Sequence, residues 1–334
     1  MMWFETLTGF SEKSPRQVRT NITIDDNLLK SHRNGKVLIC GKLETPSLAE
    51  LRDHVHASGH KVGKISVREV VANVQHLHTN ESNAKALFQV ASQFNLLEMA
   101  SPNITPEHGI GIYENDHTQG PACAIAAGAG TIYRNYFAIV NGQTGQSAKN
   151  QIDCLADIGT ALGNSQSRLW EMRNGYALAS HNGLVEISHR LRTSNESELD
   201  ELRQLLRIGV QWNTQVTLNG SKHLISQAYC SALPVAYSDQ HSNLWDEFAR
   251  LILEASYEAT ICTAILNSQR NGNNKLFLTL LGGGAFGNEI SWIIGGLRRA
   301  LNLYKHFDLD VAIVSYGVRS QPILTQLNGD FSPR

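Results

Sequence analysis

The sequence predicts an α/β fold built in layers, with a mixed sheet among helices. Three observations carry that expectation. Short apolar runs with the composition of buried strands alternate with segments of helical period. The chain has 334 residues, 42% of them hydrophobic and 18% charged, which is enough to bury a sizeable core. Neither an internal repeat nor a low-complexity linker cuts it into separate units.

The elements follow in order. Residues 36–43 (KVLICGKL) are the first apolar run and read as a strand, with 47–55 (SLAELRDHV) as the helix after it. A second buried run spans 85–94 (KALFQVASQF). Residues 150–162 (NQIDCLADIGTAL) and 196–209 (ESELDELRQLLRIG) space their apolar positions three and four apart, as helices do. Residues 223–233 (HLISQAYCSAL) return to a strand, 243–266 to a long helix, and 275–284 (KLFLTLLGGG) to a strand that ends in three glycines. A helix over 288–304 and a strand over 310–317 (DVAIVSYG) close the pattern. Residues 1–79 are the most polar and irregular part, and read as an N-terminal extension packed on a core of residues 80–334.

Composition excludes several classes of function. Lys plus Arg number 29 against 30 for Asp plus Glu, a formal net charge of -1, so no basic excess draws in a phosphate backbone and nucleic acid is not an expected partner. Cys40, Cys123, Cys154, Cys230 and Cys262 are odd in number and form no CxxC pair, which points to a reducing compartment without a disulfide framework. The opening MMWFETLTGFSEKSPR places Glu5 and Glu12 where a signal peptide needs an unbroken apolar stretch, and no window is long enough to span a membrane. The expectation is a cytoplasmic protein with no membrane partner. No cofactor or metal is expected either: in HVHASGH, His54 and His56 would lie on nearly opposite helix faces, and no cysteine or carboxylate completes a set with His60.

Residues 113–137 (YENDHTQGPACAIAAGAGTIYRNYF) raise the first functional question. An acidic, polar tract runs into glycine and alanine, then ends abruptly in Tyr133, Arg134, Asn135 and Tyr136. Such a stretch is either a tight structural turn against a neighbour or a loop where a large ligand lies on bare backbone, with Glu114 and Asp116 at its edge.

Residues 276–301 (LFLTLLGGGAFGNEISWIIGGLRRAL) raise the second. A buried strand ends in glycines, and a helix begins with Asn288 as N-cap and Ile290, Ile293, Ile294, Leu297 and Leu301 on one face. Strand, glycine loop and helix N-terminus together make an anion cradle, because bare N–H groups and the helix dipole both favour a phosphate. Glu289 must then point away. Gly282, Gly284 and Gly287 also fit the G-x-G-x-x-G dinucleotide pattern. A nicotinamide site would, however, open the fold and carry its acid at the end of the next strand, and here Asp308 and Asp310 fall at that strand's start. A glycine turn needed only for close packing is the other reading.

The closing pattern LTLLGGGAFGN, then a helix ending in RRAL, then FDLDVAIVSYG, resembles the second ligand loop, last helix and last strand of macrodomains. Bacterial-type poly(ADP-ribose) glycohydrolases carry a similar GxGxFGN loop, HLISQAYCSALPVAYS and the helix after it resemble the preceding strand and helix, and QVASQFNLLEM resembles the strand entering the first ligand loop. The resemblance covers roughly the last three quarters of the chain. It implies a three-layer macrodomain-like fold, ADP-ribose as ligand and ADP-ribosylated protein as partner. Those glycohydrolases place a Gln-Glu-Glu after the glycines of the first loop, whereas this chain has AAGAGTIYRNYF and no glutamate. SQFNLLEM, TPEHGI, the TQGPACA stretch and LGGGAFGN are more similar to a separate macrodomain group that removes ADP-ribose from modified arginine. The resemblance places ligand contacts at Gln93, Phe94 and Asn95, at Thr118, Gln119, Gly120, Pro121, Ala122 and Cys123, and at Gly282, Gly283, Gly284, Ala285, Phe286, Gly287 and Asn288.

Cleaving ADP-ribose from a protein passes through an oxocarbenium-like transition state at the distal ribose. It calls for a carboxylate to activate water or stabilise the cation, and often a second to protonate the leaving group. Asp116 is the first candidate, since it stands closest to TQGPACA, followed by Glu98 and Glu107; Glu107 could equally be a helix-start residue, and Glu114 a solvated charge. Cys123 reads as a small residue fitting a crowded loop. Phe286 and Tyr316 could stack on a ribose and on adenine, or simply pack. A module that binds ADP-ribose without cutting it is the alternative to a hydrolase.

Overall fold

The computed structural model describes residues 2–59, 63–317 and 322–331. Seven strands make its main sheet: β1 (Lys42–Glu44), β2 (Ser66–Val71), β3 (Leu87–Ala91), β4 (Gly209–Gln215), β5 (Leu224–Cys230), β6 (Lys275–Leu278) and β7 (Asp310–Ser315). Their spatial order is β1-β4-β5-β3-β6-β7-β2. From β5 across to β2 every neighbouring pair is parallel, while β4 runs antiparallel to both β5 and β1. Parallel strands are covered on both faces and so read as continuous apolar runs, which is why β3, β5, β6 and β7 all lie within expected strands.

Helices cover both faces: α1 (Leu48–Ala57), α2 (Val74–Thr79), α3 (Gln119–Ala126), α4 (Gly128–Tyr136), α5 (Ser242–Asn271) and α6 (Ile290–Leu303). Successive strand residues point to opposite sides. On β3, Phe88 stacks on His78 of α2 at 3.9 Å between ring centroids, whereas Gln89 donates to Thr260 of α5 at 3.0 Å. On β5, Gln227 donates to the Cys123 carbonyl of α3 at 3.0 Å, and Cys230, three residues on, meets Thr260 at 3.3 Å. Helices α2 and α3 therefore lie on one face and α5 on the other, giving three layers.

The differences from expectation have local causes. The run 36–43 breaks at Gly41, whose φ of +74 turns the chain where a Cβ would stand 2.1 Å from the Trp212 carbonyl. Val37–Ile39 joins a small sheet with Ile22–Asp25 and Leu28–Ser31, and β1 alone reaches the main sheet. The helix expected over 196–209 stops at Gln204, and Gly209 opens β4. Within 150–162 only Ala156–Leu162 is helical. The N-cap position of α6 falls on Glu289, whose side chain makes no capping bond, rather than on Asn288, and Ile290 is exposed instead of joining the buried face. The division expected at residue 79 does not follow the sheet, since β1 and β2 supply its two edges. Ahead of them, Phe4, Leu7 and Phe10 pack with Ile125, Ile132 and Tyr136 of α3 and α4 in a second apolar cluster. No helix among the described residues is long and apolar enough to cross a membrane.

Candidate active site

All five parallel strands end on the same edge, and open α/β sheets hold ligands outside their carboxyl ends. Two joined cavities lie there, of about 1090 Å³ and 260 Å³. The larger is bordered by residues 72–75 after β2, by the end of β7 and by the loop after β6. The smaller is bordered by residues 91–93 after β3, by Ala232 after β5 and by the same β6 loop. Asp116, Thr118, Gln119, Thr279, Leu280 and Gly284 border both, and so mark the seam.

The β6 loop is closed by its own bonds. Gly283 N donates to the Leu280 carbonyl, Gly287 N to Gly284, and Asn288 N to Gly282 at 2.9 Å. The Asn288 side chain turns inward and donates to the Leu233 carbonyl at 2.8 Å, which takes it away from the helix cap the sequence suggested. Gly282, at φ +77, stands against Ala232 where a Cβ would be 2.4 Å away. Among the described residues no group accepts from the amides of Gly284, Ala285 or Phe286, so these three are available to an anion. Glu289 is exposed and borders neither cavity.

Across the seam stands the start of α3. Asp116 Oδ1 accepts from Thr118 N at 2.9 Å, and Gln119 pins the helix to β3, accepting from Ala91 N at 2.9 Å and donating to the Gln89 carbonyl at 2.8 Å. The first-turn amides have no acceptor within the helix. Gly120 is required by contact alone, because a Cβ there would lie 2.0 Å from the Ala91 carbonyl.

The glycine and alanine tract is thus helix, not loop. Alanine is the strongest helix former, and α3 and α4 are broken only at Ala127. Its glycines admit neighbours rather than ligand: a Cβ on Gly128 would meet Trp3 and Leu7 at 2.8 Å, and one on Gly130 would meet Thr214 at 2.8 Å. The packing reading holds there, and of residues 118–136 only 118–122 and Ile125 reach the cavities.

The smaller cavity has an aromatic wall of Tyr176, Tyr237 and Phe286, with ring centroids 5.0–5.5 Å apart. Gln93 holds the loop beneath it, accepting from Met99 N at 2.9 Å and donating to Met99 O at 3.2 Å. That loop delivers Glu98, which is buried at 3% exposure. Its Oε1 meets the guanidinium of the fully buried Arg134 at 3.4 Å, and its Oε2 has no hydrogen-bond partner among the described residues. Burial raises the Glu98 carboxyl to about 7, against the opposing pull of the Arg134 charge and the Tyr113 phenol. Arg134 is held in turn by the Leu96 carbonyl at 3.0 Å and lies 3.7 Å above the Tyr229 ring.

Of the residues singled out in sequence, Gln93, Glu98, Gly120, Pro121, Gly282, Ala285 and Phe286 border the smaller cavity. Ala122, Gly283, Asn288 and Tyr316 border the larger, and Asp116, Thr118, Gln119 and Gly284 border both. Others border neither. Glu107 spends its carboxylate on the Ala148 amide at 2.9 and 3.0 Å. Phe94 is core, and Asn95 accepts from Leu97 N and donates to Gln151, which shapes the turn from below. Cys123 is fully buried and its thiol is pushed up by burial. Gly287 closes the loop against Ala236. Asp308 and Asp310 precede or open β7, the end of that strand away from the cleft.

Sequence reasoning missed Tyr176, Tyr237 and Trp3. Tyr176 had a signal: Asn174 and Gly175, at φ 47 and 80, make the two-residue turn that pairs Trp170–Arg173 with Tyr176–Ala179. Among the described residues no three His, Cys, Asp or Glu side chains are grouped to hold a metal ion, and His60 lies outside those residues.

No family model matches the chain, and no curated protein is similar enough in sequence to be matched. Among solved structures, the chain is similar to the poly(ADP-ribose) glycohydrolase of Deinococcus radiodurans in complex with ADP-ribose, at 11% identity over 87% of this chain and 91% of that one, with a TM-score of 0.45. It is also similar to the poly(ADP-ribose) glycohydrolase of Thermomonospora curvata, at 12% identity over 92% and 91% with a TM-score of 0.43. For that enzyme bound to the inhibitor ADP-HPD the identity is 10% over 94% of each chain and the TM-score 0.42. At such scores the likeness carries no conclusion about this chain's chemistry, which rests on its own residues.

Proposed function

We propose that the chain is an ADP-ribosylhydrolase that binds ADP-ribose along the cleft and cleaves the glycosidic bond at the distal ribose. The observation that carries this reading is the place of Asp116, which borders both cavities at the seam where the start of α3 faces the free amides of residues 284–286. A diphosphate suits that seam, an adenosine the larger cavity, and the distal ribose the smaller one with its aromatic wall. Asp116 then accepts the proton of the attacking water or faces the developing cation. Glu98, whose carboxyl is held near 7 by burial, gives its proton to the leaving group. The bond from the anomeric carbon to the leaving nitrogen breaks, and the water oxygen takes its place.

The substrate in this reading is a protein carrying a single ADP-ribose on arginine. Helices α3 and α4 hold no acid where polymer-cleaving enzymes carry theirs, and Asp116 borders the smaller cavity, where a cationic guanidinium joined to the distal ribose is attracted.

One observation favours a binding module instead: both carboxylates already serve the protein, Asp116 on the Thr118 amide and Glu98 on Arg134. The test is calorimetry with free ADP-ribose followed by release assays on proteins modified at arginine, serine or glutamate. Release from arginine alone supports the full reading, and release from the other linkages alone removes its specificity. Tight binding with no release from any of the three gives the module.

A further inference from the structure

Trp3 is the one tryptophan in the chain that is not buried, since Trp170, Trp212, Trp245 and Trp292 all lie in the core. It borders the larger cavity. Its backbone N donates to Glu114 Oε2 at 3.0 Å, and its indole Nε1 donates to the Ile110 carbonyl at 3.3 Å. The ring rests on Gly128, where a Cβ would stand 2.8 Å from its Cζ3, and on the edge of Phe4. A few residues on, Glu12 accepts from Ile110 N at 3.1 Å and Gly111 N at 2.6 Å, so the opening segment is stapled to residues 110–114. The indole is therefore held in place with its single donor already used. What it can offer the cavity is aromatic surface. Ile125, Ile290, Val314 and Tyr316 make the rest of that cavity's border largely apolar.

We propose that the N-terminal segment is a working part of the ligand site, in which Trp3 packs its indole against the base of the bound nucleotide. The proposal rests on the functional reading above for the identity of that nucleotide. A fixed ring with no free hydrogen-bonding group recognises a flat, polarisable group and does little for a sugar or a phosphate. Residues that sequence alone marks as a packed extension would then help set which end of the ligand enters the larger cavity.

The test is tryptophan emission, titrated with ADP-ribose, AMP and ribose 5-phosphate, on the wild-type chain and on Trp3→Phe and Trp3→Ala. ADP-ribose and AMP should change the emission and ribose 5-phosphate should not. Trp3→Phe should keep its calorimetric affinity for ADP-ribose and lose the emission change, since the four remaining tryptophans are buried. Trp3→Ala should weaken ADP-ribose and AMP by roughly 5- to 100-fold, the worth of one stacked base. Should Trp3→Ala melt early, Trp3→Phe and the wild-type titrations still decide. Wild-type affinity in a folded Trp3→Ala, or an emission change in Trp3→Phe equal to that of wild type, overturns the proposal, as does an equal response to ribose 5-phosphate. If wild type shows no calorimetric binding of ADP-ribose, the functional reading fails, and the AMP titration alone then decides for or against Trp3.

Discussion

Gly284 and Gly120 border the same cleft and should respond to a side chain in opposite ways. At Gly284 no heavy atom lies within 4 Å of where a Cβ would stand, and its φ is one that any residue adopts. Gly284→Val should therefore fold and melt as wild type does. The new side chain takes space that both cavities share, beside three amides with no protein acceptor. A hydrogen bond to a charged group is worth about 1.5–3 kcal/mol, so forcing a diphosphate off two of these amides costs about 3–6 kcal/mol, or roughly 10²- to 10⁴-fold in Kd. At Gly120 a Cβ would overlap the Ala91 carbonyl at 2.0 Å and approach Glu98 Cγ at 3.1 Å. Backbone cannot step aside cheaply, and overpacking of about 1–3 kcal/mol lowers Tm by roughly 2–12 °C. Calorimetric titration with ADP-ribose and scanning calorimetry on both variants measure the two effects. Wild-type affinity in a folded Gly284→Val would show that no phosphate lies on the β6 loop. An undiminished Tm in Gly120→Val would refute the contact argument for α3.

Asp116→Asn keeps size and loses charge, so release of ADP-ribose should slow by roughly 10²- to 10⁴-fold while affinity changes far less; a full-speed variant moves the role to Glu98. Glu98 must be protonated to act as an acid, so kcat/KM should fall as pH rises through about 7, and Glu98→Gln should remove that limb from the pH profile. Because burial raises this carboxyl from 4.5, its linkage to folding has the same sign: stability is favoured below about 4.5 and declines as pH rises toward about 7, which urea titrations over that range can check. On the far face, Glu258 of α5 sits between Arg52 at 2.7 Å and Arg299 at 2.6 Å, and Asp200 joins both arginines. Glu258→Ala leaves two cations facing an empty place and should destabilise by about 3–5 kcal/mol in denaturant titrations, with ADP-ribose affinity unchanged below the transition. Hydrogen bonding from Arg52 holds Asp200 down at about 2 against an ordinary 3.8, so its share of stability is present above pH 4 and lost as pH falls toward 2.

The parts of the fold that sequence made legible are those where one local rule decides. A parallel strand covered on both faces is apolar throughout, and 85–94, 223–233, 275–284 and 310–317 each contain one. The edge strands escaped for the same reason. β2 reads SVREVV with only Val67 buried, and β1 is three residues long; both take their identity from a neighbour far along the chain, Asp310–Ser315 for one and Val210 to Trp212 for the other. Gly209 shows how such a neighbour overrides a local pattern. The helical spacing of 196–206 continues smoothly toward it, yet pairing with Tyr229 of β5 makes it the first residue of a strand.

The site divides along similar lines. Glycine marks both halves of the cleft, but it does not say what fills the missing side chain. At Gly284 the space is empty and open to a ligand, at Gly120 a carbonyl occupies it, and at Gly128 it is Trp3, from the other end of the chain. These cases look alike in a one-dimensional reading, because the occupant is fixed by folding and not by the residues on either side. The carboxylates obey the same limit. Glu98 and Glu107 both follow apolar turns, and nothing beside them separates the one buried under Arg134 from the one spent on the Ala148 amide. What could have ranked them is the abrupt end of the small-residue tract. A helix of alanine and glycine that closes on Tyr133, Arg134 and Asn135 places a buried guanidinium beside small residues and the Thr131 hydroxyl, with no acid on the helix to pair it. A buried cation of that kind needs an anion within reach, so the acid to look for was the one whose loop could fold back under α4. Arg134 thereby points to Glu98, and leaves Asp116 as the carboxylate at the open seam.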